Sequence, residues 1–96
     1  MANYKLTPAA KADLNDIWRY SIDTWGRDQA IKYRGMIKQA VKSIADSPLQ
    51  GRARDDVRPG YRAFKTGKHL IFYRAVSNWI EVVRVLHEQM DTGNHL

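Results

Sequence analysis

The chain has 96 residues, among which there is no cysteine and only two glutamates. The absence of cysteine excludes disulfide bonds, zinc sites built from thiolates and thiol nucleophiles, and it fits a reducing compartment. No apolar run approaches the length of a membrane span, and the first five residues lack the apolar stretch of a signal peptide. We therefore expect a cytoplasmic protein.

Motifs for the common kinds of enzyme site are also missing. The sequence has no P-loop, no GxGxxG and no HExxH, and His69, His87 and His95 are too scattered to indicate a metal site. We assign no catalytic residue, no metal and no cofactor. His69 and His87 could still act as a base and an acid, and Arg62 and Arg84 could supply cations. Metal-free RNA cleavage therefore stays open.

Positive charge is concentrated in one stretch of the chain. Sixteen Lys and Arg against ten Asp and Glu give a net charge of +6. Residues 57–80 contain five basic residues and no acid, so +5 of this charge lies there and +1 elsewhere. Such a stretch favours an acidic partner, either nucleic acid or an acidic protein segment.

The hydrophobic spacing predicts an α+β fold with the order β-α-α-β-β-β. A helical hairpin would pack on one face of a small, mainly antiparallel sheet. Thr7 and Pro8 form a helix start, and Gly26 ends this first helix. The second helix runs from about Asp28 to Asp46. A short edge strand precedes the helices, and after a loop we predict three strands over Tyr61–Lys65, Lys68–Val76 and Trp79–His87.

Two-residue turns at 66–67 and 77–78 would determine which side chains share a sheet face. In that register Arg74 and Glu81 oppose each other as an ion pair. The face expected to pack on the helices contains Tyr61, Ala63, Leu70, Phe72, Val83 and Val85. The opposite face contains Arg62, Phe64, His69, Ile71, Tyr73, Val82, Arg84 and Leu86. Apolar side chains mixed with Arg, His and Tyr are typical of a binding surface, so we expect this second face to meet a partner.

Several segments between Tyr4 and about Asp91 resemble, in order and spacing, the ParE toxins of bacterial type II toxin–antitoxin modules. This family belongs to the RelE/ParE superfamily, and its fold is the one predicted above. The matching segments are 6–14, 16–18, 25–26, 48–52, 58–62, 69–74 and 83–91. We expect residues 1–91 to form a single toxin domain and residues 92–96 a mobile C-terminal tail.

The resemblance implies a toxin that inhibits DNA gyrase and so blocks replication, with a role in plasmid or chromosome maintenance. It also implies a cognate ParD-like antitoxin whose acidic, amphipathic C-terminal segment folds onto the toxin. The resulting hetero-oligomer would bind operator DNA only through the antitoxin and repress its own promoter. No membrane partner is implied.

Two alternatives stay open beside the gyrase inhibitor. One is an mRNA endonuclease of the RelE type, and the other is a non-toxic module that only binds antitoxin. RelE-like members have an arginine in a Gly-x-Arg-hydrophobic strand start, where this chain has His69 after Gly67 and Lys68. This difference favours the ParE branch and a protein that is not an enzyme.

The expected contacts fall into two groups. For the target we expect Arg52, Arg58, Arg62, His69, Tyr73, Arg84 and His87. For the antitoxin we expect Trp18, Tyr33, Ile37, Phe64 and Ile71.

Overall fold

The computed structural model describes residues 3–90 and residue 96. Two helices lie against a five-stranded mixed sheet with the strand order β1-β5-β4-β3-β2. β1 is parallel to β5, and the other neighbouring strands are antiparallel. The elements are β1 (Asn3–Leu6), α1 (Pro8–Trp25), α2 (Arg27–Asp46), a 3-10 turn (Pro48–Gln50), β2 (Arg52–Ala53), β3 (Tyr61–Thr66), β4 (His69–Val76) and β5 (Trp79–His87).

The predicted α+β fold is confirmed, and only the two-residue β2 was missed, because the sequence analysis placed it in a loop. Neither α1 nor α2 has the sustained apolar stretch that crossing a bilayer demands.

Local signals at both ends of α1 fix the helical hairpin. The Thr7 hydroxyl accepts the Ala10 N–H at 3.0 Å and donates to the Val83 carbonyl at 2.7 Å, so it caps the helix and ties it to β5. Gly26 ends α1 with φ +87°, a conformation that favours glycine. Its carbonyl accepts the Ala30 N–H at 3.1 Å, so one residue joins the two helices. The chain must therefore reverse direction, which makes the helices antiparallel neighbours.

The β3–β4 turn preserves the predicted faces although it begins one residue late. Gly67 and Lys68 form this turn, and Thr66 pairs with His69. Each β3 residue therefore opposes a β4 residue two positions beyond its predicted partner. A shift of two leaves every side chain on its predicted face, because strand side chains alternate with period two.

A β-bulge in β5 changes the faces of the last strand. Val76 opposes Trp79 as predicted, and the Arg74–Glu81 ion pair forms with an Nε–Oε1 distance of 2.8 Å. Between Tyr73 and Phe72 the register then shifts by one residue. From this point the side chains of β5 lie on the face opposite to the predicted one.

The helices cover the sheet face that we expected to be free, so that expectation was wrong. The bulge is one physical reason, because it moves Val85 to the same face as Ile71 and Tyr73. Ile80 lies there too, and its contribution was overlooked. Together these side chains make this face the more apolar one. The main core consists of Ala10, Ile37, Ala40, Val41, Ile44, Ala45, Ile71, Tyr73, Ile80, Val82 and Val85.

The other sheet face has a smaller apolar cluster. Ala63, Phe72 and Leu86 are buried there, with Leu70 and Leu96 packed against them. The Leu96 carbonyl accepts hydrogen bonds from Nε and Nη2 of Arg58 at 3.2 and 3.0 Å. Leu96 was predicted to belong to a mobile tail, and residues 92–95 of that tail lie outside the described residues.

Tyr73 fastens the loop after α2 to the sheet. Its buried hydroxyl donates to the Pro48 carbonyl at 2.7 Å and accepts the Gly51 N–H at 3.0 Å. A side chain at position 51 would collide with the Tyr73 ring, since an added Cβ would lie 2.8 Å from two of its carbons. Arg62 completes the attachment by donating from Nη1 to the Gly51 carbonyl at 2.7 Å.

We predict that Tyr73→Phe lowers the free energy of unfolding by about 1–3 kcal/mol, because two backbone groups lose their buried partner. The measurement is urea unfolding followed by circular dichroism. Tyr20→Phe is the matched control, since the Tyr20 side chain is 62% exposed. Equal unfolding midpoints for the two variants would contradict the role assigned to the Tyr73 hydroxyl.

Candidate partner-binding site

An apolar groove of about 430 Å³ lies between α1, α2 and β1. Leu14, Ile17 and Trp18 of α1 form one wall and are only half-buried. Ile37 of α2 also lines the groove and is 3% exposed. Half-exposed apolar side chains gathered in a concave surface are typical of a site for another molecule.

The rim of this groove is basic. Arg34 and Lys38 line it, and both are exposed. The Arg34 guanidinium lies over the Trp18 ring, 4.3 Å from its centre, in a cation–π arrangement. Within residues 3–90 neither cation has an acidic partner within salt-bridge distance. The groove therefore suits an apolar ligand that also has carboxylates.

Three of the residues predicted for the antitoxin line this groove: Trp18, Tyr33 and Ile37. Phe64 packs, partly buried, against the main core. Ile71 has no exposed surface because the helices cover its face of the sheet, so its side chain is not available to a partner in this conformation.

The residues predicted for the target separate into different parts of the molecule. Arg62 and Tyr73 hold the loop after α2, and Tyr73 has no exposed surface. Its burial removes it as a direct contact in this conformation, for the same reason as Ile71. Arg52 and Arg58 are exposed at the β2 side of the sheet.

Arg84 is held by Asp13 of α1. The two side chains form a bidentate pair, with Nε–Oδ2 at 2.7 Å and Nη2–Oδ1 at 2.8 Å, and they are 22% and 12% exposed. The Asp13 carboxylate also accepts the Val85 N–H at 3.0 Å. Its hydrogen bond raises the pKa of Arg84. This geometry attaches α1 to β5, so Arg84 has a structural function.

His69 and His87 oppose each other at the ends of β4 and β5, with ring centres 5.4 Å apart. The Tyr33 hydroxyl lies 2.5 Å from Nδ1 of His69 and accepts the Lys68 N–H at 3.1 Å. Burial lowers the pKa of His69, and the nearby His87 lowers it further. Burial also disfavours the charged form of Tyr33, which raises the pKa of its hydroxyl. The cluster therefore joins α2 to the end of the sheet and favours the neutral forms of His69 and Tyr33.

Several residues of these sites were not predicted from the sequence. Leu14 and Ile17 lie on the same apolar stripe of α1 as Trp18, so their spacing offered a usable signal. Arg34 and Lys38 are four residues apart on α2, which places them on one helix face. Nothing in the sequence indicated that Asp13 would pair with Arg84. Within residues 3–90, no three His, Asp or Glu side chains come together as a possible metal site.

Comparison with known proteins gives the family of the chain. A family model described as "ParE toxin of type II toxin-antitoxin system, parDE" matches residues 4–92. Toxin ParE1 of Mycobacterium tuberculosis (strain H37Rv) is 45% identical over 96 residues, covering 99% of this chain and 98% of the relative. Toxin ParE1 of Caulobacter vibrioides is 42% identical, with coverage of 100% and 99%. Toxin ParE of Escherichia coli is 32% identical, with coverage of 100% and 94%.

Solved structures share the same fold. The chromosomal ParDE system from P. aeruginosa superposes with a TM-score of 0.76 at 26% identity, covering 91% of this chain and 96% of that one. The YoeB–YefM complex from Staphylococcus aureus gives a TM-score of 0.60 at 19% identity, with coverage of 91% and 97%, and it supports the fold alone. The family match across residues 4–92 and the three relatives together identify this chain as a member of the ParE toxin family of type II toxin–antitoxin systems.

Proposed function

We propose that this ParE toxin inhibits DNA gyrase, and that a ParD-like antitoxin neutralises it by folding a C-terminal segment into the groove between α1 and α2. The observation that carries the proposal is the groove itself, because its apolar walls lie open beside a basic rim. The toxin would act in the cytoplasm, where gyrase and the chromosome are located.

The chemistry of the groove indicates what kind of antitoxin segment would bind there. An amphipathic helix would place apolar side chains against Leu14, Ile17 and Trp18. Acidic side chains on its flank would reach Arg34 and Lys38, which have exposed charges. A segment that is disordered when free and folds on binding suits such a site, since the groove supplies the apolar surface that the segment lacks alone.

Binding, and not bond cleavage, is the proposed mode of action. Glu88 is the carboxylate next to the histidine cluster, and a 2.9 Å ion pair with Lys65 holds it. The hydrogen bond from Lys65 lowers the pKa of Glu88, which makes it a poor general acid. His69 and His87 both have Nδ1 engaged by neighbouring groups.

The β2 side of the sheet is the proposed contact for gyrase or its bound DNA. Arg52 and Arg58 are exposed there, and the groove lies beside β1 at the opposite edge of the sheet. The planar arginine fork binds carboxylates and phosphates with two parallel hydrogen bonds. Antitoxin and target would therefore contact different surfaces. To neutralise the toxin, the antitoxin would have to extend far enough to cover the target surface as well, or its binding would have to change the conformation of the toxin.

Autoregulation follows from the same assembly. We propose that toxin and antitoxin form a hetero-oligomer that represses its own promoter. Operator DNA would contact the DNA-binding part of the antitoxin only.

For antitoxin binding, we predict that Trp18→Ala weakens the complex by roughly 2–4 kcal/mol, since a large aromatic side chain that lines an apolar groove is a typical hot spot. Isothermal titration calorimetry with the purified antitoxin measures the loss. Trp25→Ala is the matched control, because Trp25 belongs to the same helix but lies outside the groove and is 46% exposed. Equal affinities for folded Trp18→Ala and wild-type toxin would place the antitoxin elsewhere.

For gyrase, we predict that the purified toxin, incubated with gyrase, supercoiled plasmid and ATP, produces linear DNA covalently linked to protein. Arg52→Ala should reduce this product several-fold, whereas Lys42→Ala, which removes an exposed cation from α2, should not. Intact DNA turnover in the presence of folded toxin would exclude gyrase poisoning. Cleavage of mRNA in a translation reaction would then identify the protein as an endonuclease.

A further inference from the structure

The two histidines at the end of the sheet share a hydrogen-bonding feature that neither the groove nor the β2 side uses. In each ring Nδ1 is the nitrogen that has a hydrogen-bond partner. The backbone N–H of Gln89 donates to Nδ1 of His87 at 3.2 Å. A backbone N–H can only donate, so Nδ1 of His87 is an acceptor and the hydrogen of the neutral ring lies on Nε2.

We assign the same tautomer to His69 from its contact with Tyr33. The Tyr33 hydroxyl oxygen already accepts the Lys68 N–H, so its own hydrogen is free to point at Nδ1 of His69, 2.5 Å away. The hydrogen of the neutral His69 ring then also lies on Nε2. Burial lowers the pKa of His69, which keeps the ring neutral near pH 7.

Both Nε2–H groups are left available. The hydrogen bonds within the described part of the chain involve only Nδ1 of each ring. No side-chain nitrogen or oxygen of the described residues is both buried and without a partner, so neither Nε2 atom is sealed inside the protein. The sheet therefore ends in two half-buried imidazole rings whose centres are 5.4 Å apart and whose Nε2 atoms have no hydrogen-bond partner within the described residues.

Two carboxylates, Glu88 and Asp13, act electrostatically on His69, and each is paired with a cation. Lys65 and Glu88 neutralise each other in their ion pair. Arg84 and Asp13 do the same. Lys68 is exposed, lies next to His69 in the chain and has no salt-bridge partner within residues 3–90.

We propose that His69, His87 and Lys68 form a binding site for a phosphate group. A tetrahedral phosphate presents several acceptor oxygens, so one group can accept from two separated imidazole N–H donors and still face an ammonium. The phosphate belongs either to a nucleic-acid backbone or to a small phosphorylated molecule. The site binds and does not cleave, because Nδ1 is occupied in both rings and Nε2 would donate to the phosphate, so neither ring offers a free basic nitrogen. This inference does not depend on gyrase being the target.

Long-range ¹H–¹⁵N NMR of histidine-labelled toxin near neutral pH tests the site, since the ¹⁵N shifts distinguish the two tautomers directly. We expect Nε2–H tautomers for His69 and His87. Inorganic phosphate should produce saturable shifts of both Nε2 signals, whereas sodium chloride at the same ionic strength should not. A short oligothymidylate that binds at least about tenfold more tightly than phosphate would identify a nucleic-acid backbone as the source, and equal or weaker binding would identify a small phosphate.

Substitutions of exposed lysines separate the loss of phosphate binding from a loss of folding. Lys68→Gln should weaken phosphate binding several-fold, and Lys42→Gln, an equal loss of charge on α2, should leave it unchanged. Tyr33→Phe should shift part of the His69 population to the Nδ1–H tautomer and weaken binding with it. The proposal is overturned if phosphate shifts are absent or do not saturate, if they are the same in Lys68→Gln as in wild type, or if the labelled rings have Nδ1–H.

Discussion

The pairing of β5 with β4 is the interaction on which the rest of this molecule depends. β5 lies between β1 and β4, and both helices pack on the face that these strands share. The bulge opposite Tyr73 and Phe72 moves Val85 to the helix side, where it joins Ile71 and Tyr73 in the main core. Without that one-residue shift, β5 would present Arg84 to the helices in place of Val85.

The same pairing separates the surfaces of the toxin. The groove lies beside β1 between the helices, the exposed arginines lie at the β2 edge, and the histidine pair lies at the ends of β4 and β5. A sheet of five strands thus holds three candidate surfaces apart. Residues that hold the frame together, such as Tyr73 with the loop and Asp13 with Arg84, are buried or half-buried between these positions.

Local rules were enough to predict most of the fold from the sequence. Thr7 with Pro8 and the single Gly26 define the helical hairpin through capping and backbone conformation, which depend on a few neighbouring residues. The apolar stripe of α1 likewise indicated Trp18, which lines the groove between the helices. Which face of the sheet the helices cover could not be predicted in the same way. A bulge has no local sequence signal, and a shift of one residue exchanges the two faces of a strand. Ile71 and Tyr73 lie on their predicted face, but that face was expected to be free, so both were predicted as contacts although they are buried.

Arginines were the least predictable residues of the candidate sites. Sequence alone does not tell a surface arginine from one that a distant carboxylate holds, and the partner of Arg84 lies 71 positions away in the chain. Arg62 similarly binds backbone carbonyls of the loop, which no charge pattern would reveal. Exposed cations such as Arg34, Arg52 and Lys68 stand out only once the burial of their neighbours is known.

The helical groove, and not the opposite sheet edge, is the surface that we propose for the antitoxin. Hydrogen–deuterium exchange of the toxin with and without its purified antitoxin tests this most directly, because it measures the protection of backbone amides in the helices and the strands in one experiment. The account predicts that binding slows exchange in α1 around residues 14–18 and in α2 around residues 33–38, with little change in β2. Protection confined to β2 and β3, with unchanged exchange in both helices, would contradict it.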